Sequence, residues 1–226
     1  MSILDSEIEP ELIVPSNPFG YGTMKPRFES EVKAHQMTIL KDDGLYRHLS
    51  FRNPDNGGYW FDILTWPGSL VIAADMGSFT FRREPDMFEW FGTGSFIEYP
   101  YLSQKVVAVD ARMGLREYDM TIFASRVLDY VVEHTQEMPQ GDRQSVIDDV
   151  LARVILTEDY ATQCEEGARE AILDYPGLNG FQFERDVDWK FDDFSAAFTW
   201  CCHAIRHGIL AYRDAKTAPA AGSVES

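Results

Sequence analysis

The stretch YWFDILTWPGSLVIAADMGSFTF, Tyr59 to Phe81, decides the fold class. Tyr59 to Trp66 is aromatic and β-branched, the composition of a strand; Pro67-Gly68 turns the chain and Leu70 to Ala74 returns. Asp75-Met76-Gly77 then interrupts before SFTFRR resumes, and a glycine inside a strand pattern marks a bulge or a tight turn. This half is therefore one bent strand or two. Alternation places Tyr59, Phe61 and Ile63 on one face and Trp60, Asp62 and Leu64 on the other. Large apolar groups on both faces imply a sheet covered on both sides, or one side that meets a partner.

Upstream, HQMTILKDDGLYRHLSFR (His35 to Arg52) predicts a hairpin turning at Asp42-Asp43-Gly44, and NPDNGG (Asn53 to Gly58) is a loop by composition. Downstream, EPDMFEWF predicts a short helix with Pro85 in its first turn, and KVVAVD with LREYD predicts a further hairpin around ARMG. Asp119 or Thr121 caps the next helix, whose Ile122, Phe123, Val127, Tyr130 and Val131 recur at helical spacing. Two more helices are predicted over Gln144–Leu156 and about Thr162–Asp174. The last, about Phe194–Tyr212, carries the stripe Phe194, Phe198, Cys201, Ile205, Ile209 and Tyr212.

Strands first and helices afterwards predict an α+β fold: an antiparallel sheet in the N-terminal half with a helical C-terminal half packed on it. The expected boundaries are an extended, proline-bearing arm over 1–27, a single domain over 28–215 (mainly β over 28–118, mainly α over 119–215), and a disordered tail over 216–226.

Composition limits the partners. Only 20 Lys and Arg stand against 37 Asp and Glu, a net charge of −17, whereas binding to a nucleic-acid backbone or an anionic membrane surface needs cations. A basic protein surface suits this charge, as does imitation of a nucleic acid's own charge. No apolar run is long enough to span a membrane, and MSILDSEIEPEL lacks the pattern of a secretory leader. Cys164, Cys201 and Cys202 form no paired framework. Together these lead to the expectation of reduced thiols in a cytoplasm.

The motifs that carry common chemistries are absent from the sequence. There is no G-x-x-x-x-G-K-[ST] and no G-x-G-x-x-G; FGTGSF has Gly92 and Gly94 but no third glycine. His203 and His207 stand one helical turn apart, yet no zinc pattern surrounds them, and His203 points about 200° from Cys201, toward a solvated or interface side. No metal and no cofactor is expected. Cys201 is a small apolar filler on the stripe, and a sequence neighbour on a helix gives Cys202 no facing histidine. Asp62 and Asp75 lie in strand runs, where they pair with Arg47, Arg52, Arg82 or Arg83, form an acid–base or metal carboxylate pair in a sheet cleft (with His48 if the chain is an enzyme), or stand exposed at a strand end. The segment ERDVDWKFDDF interleaves Asp186, Asp188, Asp192 and Asp193 with Val187, Trp189, Phe191 and Phe194. It is either a solvated face leading into the last helix or carboxylates beside aromatic anchors that dock on a basic groove.

The blocks HQMTILKDDGLYRHLSFR, FDILTWPGSLVIAADMGSFTF with DMFEWF, and FTWCCHAIRHGILAYRD resemble those of a phage and prophage-encoded family of accessory proteins, mostly uncharacterised, over about Val32–Leu128 and Phe181–Asp214. That family more usually has an aromatic where His207 stands, which speaks further against a metal role. The resemblance implies a phage protein acting in a bacterial host cytoplasm. By analogy with other small acidic phage proteins, the expectation is an inhibitor of a host complex, of anti-CRISPR or anti-restriction type, working by occlusion without catalysis. Its docking residues would be Asp186, Asp188, Trp189, Asp192 and Asp193. The alternatives are an enzyme using His48, Asp62 and Asp75, and a phage assembly component.

Overall fold

A computed structural model describes residues 21–92, 97–156, 164–185 and 188–218. The chain forms two compact units, Phe19–Arg116 with Phe194–Ser226, and Met1–Pro18 with Glu117–Asp193. Within the span read from the sequence as a single domain over 28–215, each unit has a hydrophobic cluster of its own. The α+β class holds.

In the first unit, β1 (Gln36–Asp43), β2 (Tyr46–Arg52), β3 (Phe61–Trp66), β4 (Ser69–Ala74), β5 (Gly77–Arg82) and β6 (Val106–Val109) form an antiparallel meander in chain order. The stretch Tyr59–Phe81 supplies three of these strands. Gly68, at φ 78°, sits where a Pro-Gly turn of type II needs a positive angle. Asp75-Met76 is a second two-residue turn, with Ala74 opposite Gly77 at φ 138°, so the interrupted half is two strands rather than one bent strand. The first hairpin turns one residue later than expected: Asp43 pairs with Tyr46, leaving Gly44, at φ 60°, and Leu45 as the turn. On edge strand β1 a register shift singles out Leu40, a bulge that with the exposed Lys41 blunts the edge against further pairing.

The expected hairpin around ARMG does not form. β6 instead pairs with β5, placing Val109 opposite Phe79 and Val106 opposite Phe81. The open edge of β5 gives Val106–Val109 a ladder partner that a local hairpin would have to replace. β7 (Arg116–Tyr118) forms a separate two-stranded sheet with β8 (Asp192–Phe194).

One face of the meander is dry: Leu49, Phe51, Phe61, Ile63, Leu70, Ile72, Phe79 and Phe81 are at most 1% exposed. Each such side chain contributes about 1.5–3 kcal/mol by leaving water. The opposite face, with Asp62, Leu64 and Val71, stays half-buried. Helix α7 (Ala196–Thr217), N-capped by Ser195 Oγ accepting from Phe198 N at 3.2 Å, packs on the dry face through Phe198, Cys201, Ile205 and Ile209, as its stripe predicts. Gly208 fixes how close it comes: a Cβ there would stand 2.4 Å from Ile63 Cδ1 and 3.2 Å from Phe51 Cε2.

Burial on α7 runs beyond the stripe to Trp200 and Ala204, where a helix the sequence reading missed joins this core. Helix α1 (Tyr21–Glu31) replaces the end of the expected extended arm. Met24, Phe28 and Val32, four residues apart, line one buried side, and this packing outweighs the single backbone hydrogen bond that Pro26 removes. Trp200 Nε1 donates to Glu31 Oε2 at 2.8 Å. Helix α2 (Met87–Phe91) is capped by Asp86, which accepts two hydrogen bonds from Arg47 at 2.7 and 2.9 Å, while the same guanidinium lies over the Phe88 ring. Arg47 therefore pairs with Asp86, not with Asp62 or Asp75. α3 is Tyr99–Ser103. At the other end, α7 continues through the expected start of the tail, with Lys216 Nζ 2.8 Å from Asp42; residues 219–226 lie outside the described residues.

The second unit is helical. α4 (Met120–His134) is capped by Asp119, whose carboxylate accepts from Thr121 N and Ile122 N. α5 (Gln140–Val150) runs on as a π-helical turn, Leu151–Ile155, and α6 is Glu165–Leu173. Their apolar sides meet an aromatic segment in which Phe181, Phe183 and Phe191 are buried. Asn179-Gly180, at φ 51° and 85°, turns Leu178 back on Phe181, as an Asn-Gly pair does.

The Gly208→Val protein is expected to lose about 2–3 kcal/mol of stability by overpacking. Gly141→Ala, in α5 with nothing within 4 Å of the added methyl, should gain about 0.5 kcal/mol from helix propensity. Urea denaturation of both variants beside wild type checks the pair.

Candidate functional site

The sequence offers three groups of candidates, and the structure treats each differently. In the first, strand register puts Ser50 opposite Asp62 and His48 opposite Leu64, so Asp62 lies diagonally between His48 and Arg52 on the half-buried face. Asp62 Oδ2 accepts from Arg52 Nη2 at 2.9 Å and stands 3.9 Å from His48 Nε2. Arg52 also donates to the Phe61 carbonyl and lies 4.7 Å over the Trp60 ring. The carboxylate is thus spent largely on an arginine held by three neighbours. Asp62 Oδ1 and His48 Nε2 are closed to solvent and have no hydrogen-bond partner among the described residues. A general base needs its lone pair within reach of a substrate proton; here both candidate atoms are covered. Asp75 does not join them. It is exposed at the β4–β5 turn, where its carboxylate accepts from Tyr59 N at 3.0 Å and helps hold Tyr59 at φ 57°.

The second group is on α7. His203 does not face solvent as the helical wheel suggests, because α1 covers that side. Its ring stacks on Phe28 at 5.9 Å, and its Nε2 makes a 2.8 Å hydrogen bond with Tyr99 Oη. Burial drives the His203 imidazole down to about 4, with Lys25 and Arg206 adding to the effect, and raises the Tyr99 phenol. His207 keeps an exposed edge, meets Phe28 and Phe51 edge-on, and is likewise lowered by burial. Both cysteines of this helix are buried with their thiols pushed up by burial, and Cys201 Sγ donates to the Gly77 carbonyl at 3.7 Å. A nucleophilic thiolate needs the opposite shift. Among the described residues no group of three or more His, Cys, Asp or Glu side chains has the geometry to hold a metal ion.

The third group is the acidic segment. Asp186 lies outside the described residues. Asp188 is exposed, and Asp192 and Asp193 are half-buried in β8. Trp189 is not a presented anchor: it is 8% exposed, with its ring 5.2 Å from Tyr130 and 5.7 Å from Phe191. The bulky apolar ring belongs to the core of the helical unit, and Arg169 donates to its carbonyl.

A different acidic feature emerges once the two units are known. Residues 117–193 hold nineteen acidic and six basic residues, a net charge of −13, while 19–116 and 194–226 together hold fourteen of each. Asp129 and Glu133 of α4, Asp142 and Asp148 of α5, and Glu165, Glu166 and Glu170 of α6 are all exposed. Of the six cations, Arg153 and Arg169 are engaged within their own helices, with Asp149 and Glu165. The signal was present in the sequence but is diluted when charge is counted over the whole chain.

Comparison with protein-family models, with curated proteins and with solved structures gives no match. Among the described residues no helix is long and apolar enough to cross a membrane.

Trp189→Ala is expected to destabilise the helical unit by about 3–5 kcal/mol, the cost of truncating a buried tryptophan. A surface anchor would leave denaturation unchanged, so thermal unfolding monitored by circular dichroism separates the two roles.

Proposed function

We propose that this chain is a binding protein whose acidic helical unit occupies a basic, nucleic-acid-binding surface of a host protein complex. In this reading it is a phage-borne inhibitor of a defence system of CRISPR or restriction type, acting in the bacterial cytoplasm by occlusion. One observation carries the reading: net charge is segregated, −13 over 117–193 against zero over 19–116 and 194–226. General solubility does not require the carboxylates to be concentrated in one unit. A surface that presents them together creates a local negative potential, which speeds encounter with a basic groove and discriminates against acidic partners. The engagement of Asp62 with Arg52 and the covered His48 Nε2 favour this reading over the enzymatic one.

Capture of partners by the tagged protein from host lysate, at low and high salt, tests it directly. A nucleic-acid-handling complex should be retained at low salt and released at high salt. With that partner in hand, Asp129→Asn/Glu133→Gln should slow association about ten-fold at low salt, an effect that fades as salt rises. Asp55→Asn/Asp214→Asn, which neutralises two exposed carboxylates of the sheet unit, should change it little. Equal rates for the two double variants would remove the helical unit from the interface.

A further inference from the structure

Three of the five histidines, His35, His203 and His207, converge on the packing of α1. The Phe28 ring of α1 lies 5.9 Å from His203, 5.6 Å from His207, 5.1 Å from Trp200 and 6.5 Å from Phe61. His35, just beyond α1, stacks on the other side of this cluster, 6.3 Å from Phe61, and both its ring nitrogens are closed to solvent without a hydrogen-bond partner among the described residues. His207 also meets the Phe51 and Phe61 rings. His203 and His207 are therefore packed as aromatic surface beside Phe28, and His203 Nε2 is also hydrogen-bonded with Tyr99 Oη.

From this geometry we infer that α1 is an acid-releasable clasp: it grips α7 and the sheet while the imidazoles of His203 and His207 are neutral, and lets go when they take up protons. A proton on His203, or on the covered side of His207, places charge against the aromatic nest, where hydration is restricted. The groups facing the rings do not reverse that. Lys25 from α1 and Arg206 from α7 oppose a charge on His203, His35 opposes one on His207, and Glu29, exposed on α1, is a carboxylate that favours both. Glu31 is already committed to Arg27 and Trp200, and the Tyr99 phenol and Cys202 thiol stay neutral.

The sign follows from proton uptake. Packed His203 is held near 4, below its ordinary 6.5, so the released form binds protons first as pH falls. The grip is complete above the ordinary imidazole range and is lost as pH drops through it toward 4. The strands persist because each central one is held by hydrogen-bonded ladders on both sides, whereas α1 is held by side chains alone and can open locally. Release uncovers Phe28 and Trp200, buried at neutral pH.

Amide hydrogen exchange of the full chain at pH 7 and pH 5, corrected for the intrinsic rate, reads the clasp directly. Protection of residues 24–31 is expected to fall at least ten-fold more than that of β3–β5 at the lower pH. In His203→Gln/His207→Gln that difference should disappear. Equal loss in α1 and the strands, or the same acid sensitivity in the double variant, overturns the proposal. Imidazole titration by NMR on the unmodified protein gives an independent reading, free of any folding defect in the variant. Protonation of His203 and His207 near 6.5 while α1 stays protected would contradict the clasp.

Discussion

The approach of α7 to the sheet at Gly208 is the contact from which the first unit is built. A hydrogen in place of a side chain lets the helix backbone settle between Ile63 and Phe51, close enough for Phe198, Cys201, Ile205 and Ile209 to fill the dry face. Because the helix lies that deep, its flanks are also within reach of other elements. Trp200 and His203 meet α1, Tyr212 and Lys216 meet the β1–β2 hairpin at Asp42, and Arg213 caps the end of α2 through the Phe88 and Gly92 carbonyls. The last helix thus gathers segments from along the N-terminal half onto one core, and its first half, Ala197 to Ile205, is buried well beyond the single stripe that its sequence shows.

The functional reading rests on a division of labour between the units. The sheet unit balances its charges and uses its most suggestive polar side chains structurally: Arg47 and Asp86 fasten β2 to α2, Arg52 and Asp62 fasten β2 to β3, and Asp75 closes a turn. Among the described residues the helical unit buries Phe123, Phe181, Phe183, Trp189 and Phe191 and exposes carboxylates on α4, α5 and α6. On the proposed function, an interface built this way would recognise its partner by charge and shape more than by apolar anchors, with speed and selectivity that depend on ionic strength.

Much of the fold was legible because its signals are local. Pro67-Gly68, Gly44 and Gly77 mark turns through their own backbone freedom, and Asp119 caps α4 through its own side chain. What was missed depends on distant contacts or on competing local signals. Pro26 argues against a helix, yet Met24, Phe28 and Val32 were spaced for one. β6 chose the edge of β5 over its nearer neighbour in sequence, a choice that only the assembled sheet offers. The wheel placed His203 correctly relative to the stripe, but could not show that α1 lies on that side. Trp189 looked like an anchor because carboxylates flank it, although bulk and apolarity make the core the stronger destination. Asn179-Gly180 carries a local turn signal of its own, with both residues at positive φ.

The central claim is that the acidic helical unit is the binding surface. Amide hydrogen exchange of the full chain, free and with its captured partner, tests this most directly by mapping where the partner sits. The account predicts new protection on α4, α5 and α6 with β1–β6 unchanged. A footprint confined to the sheet unit, with the three helices exchanging as they do in the free protein, would contradict it.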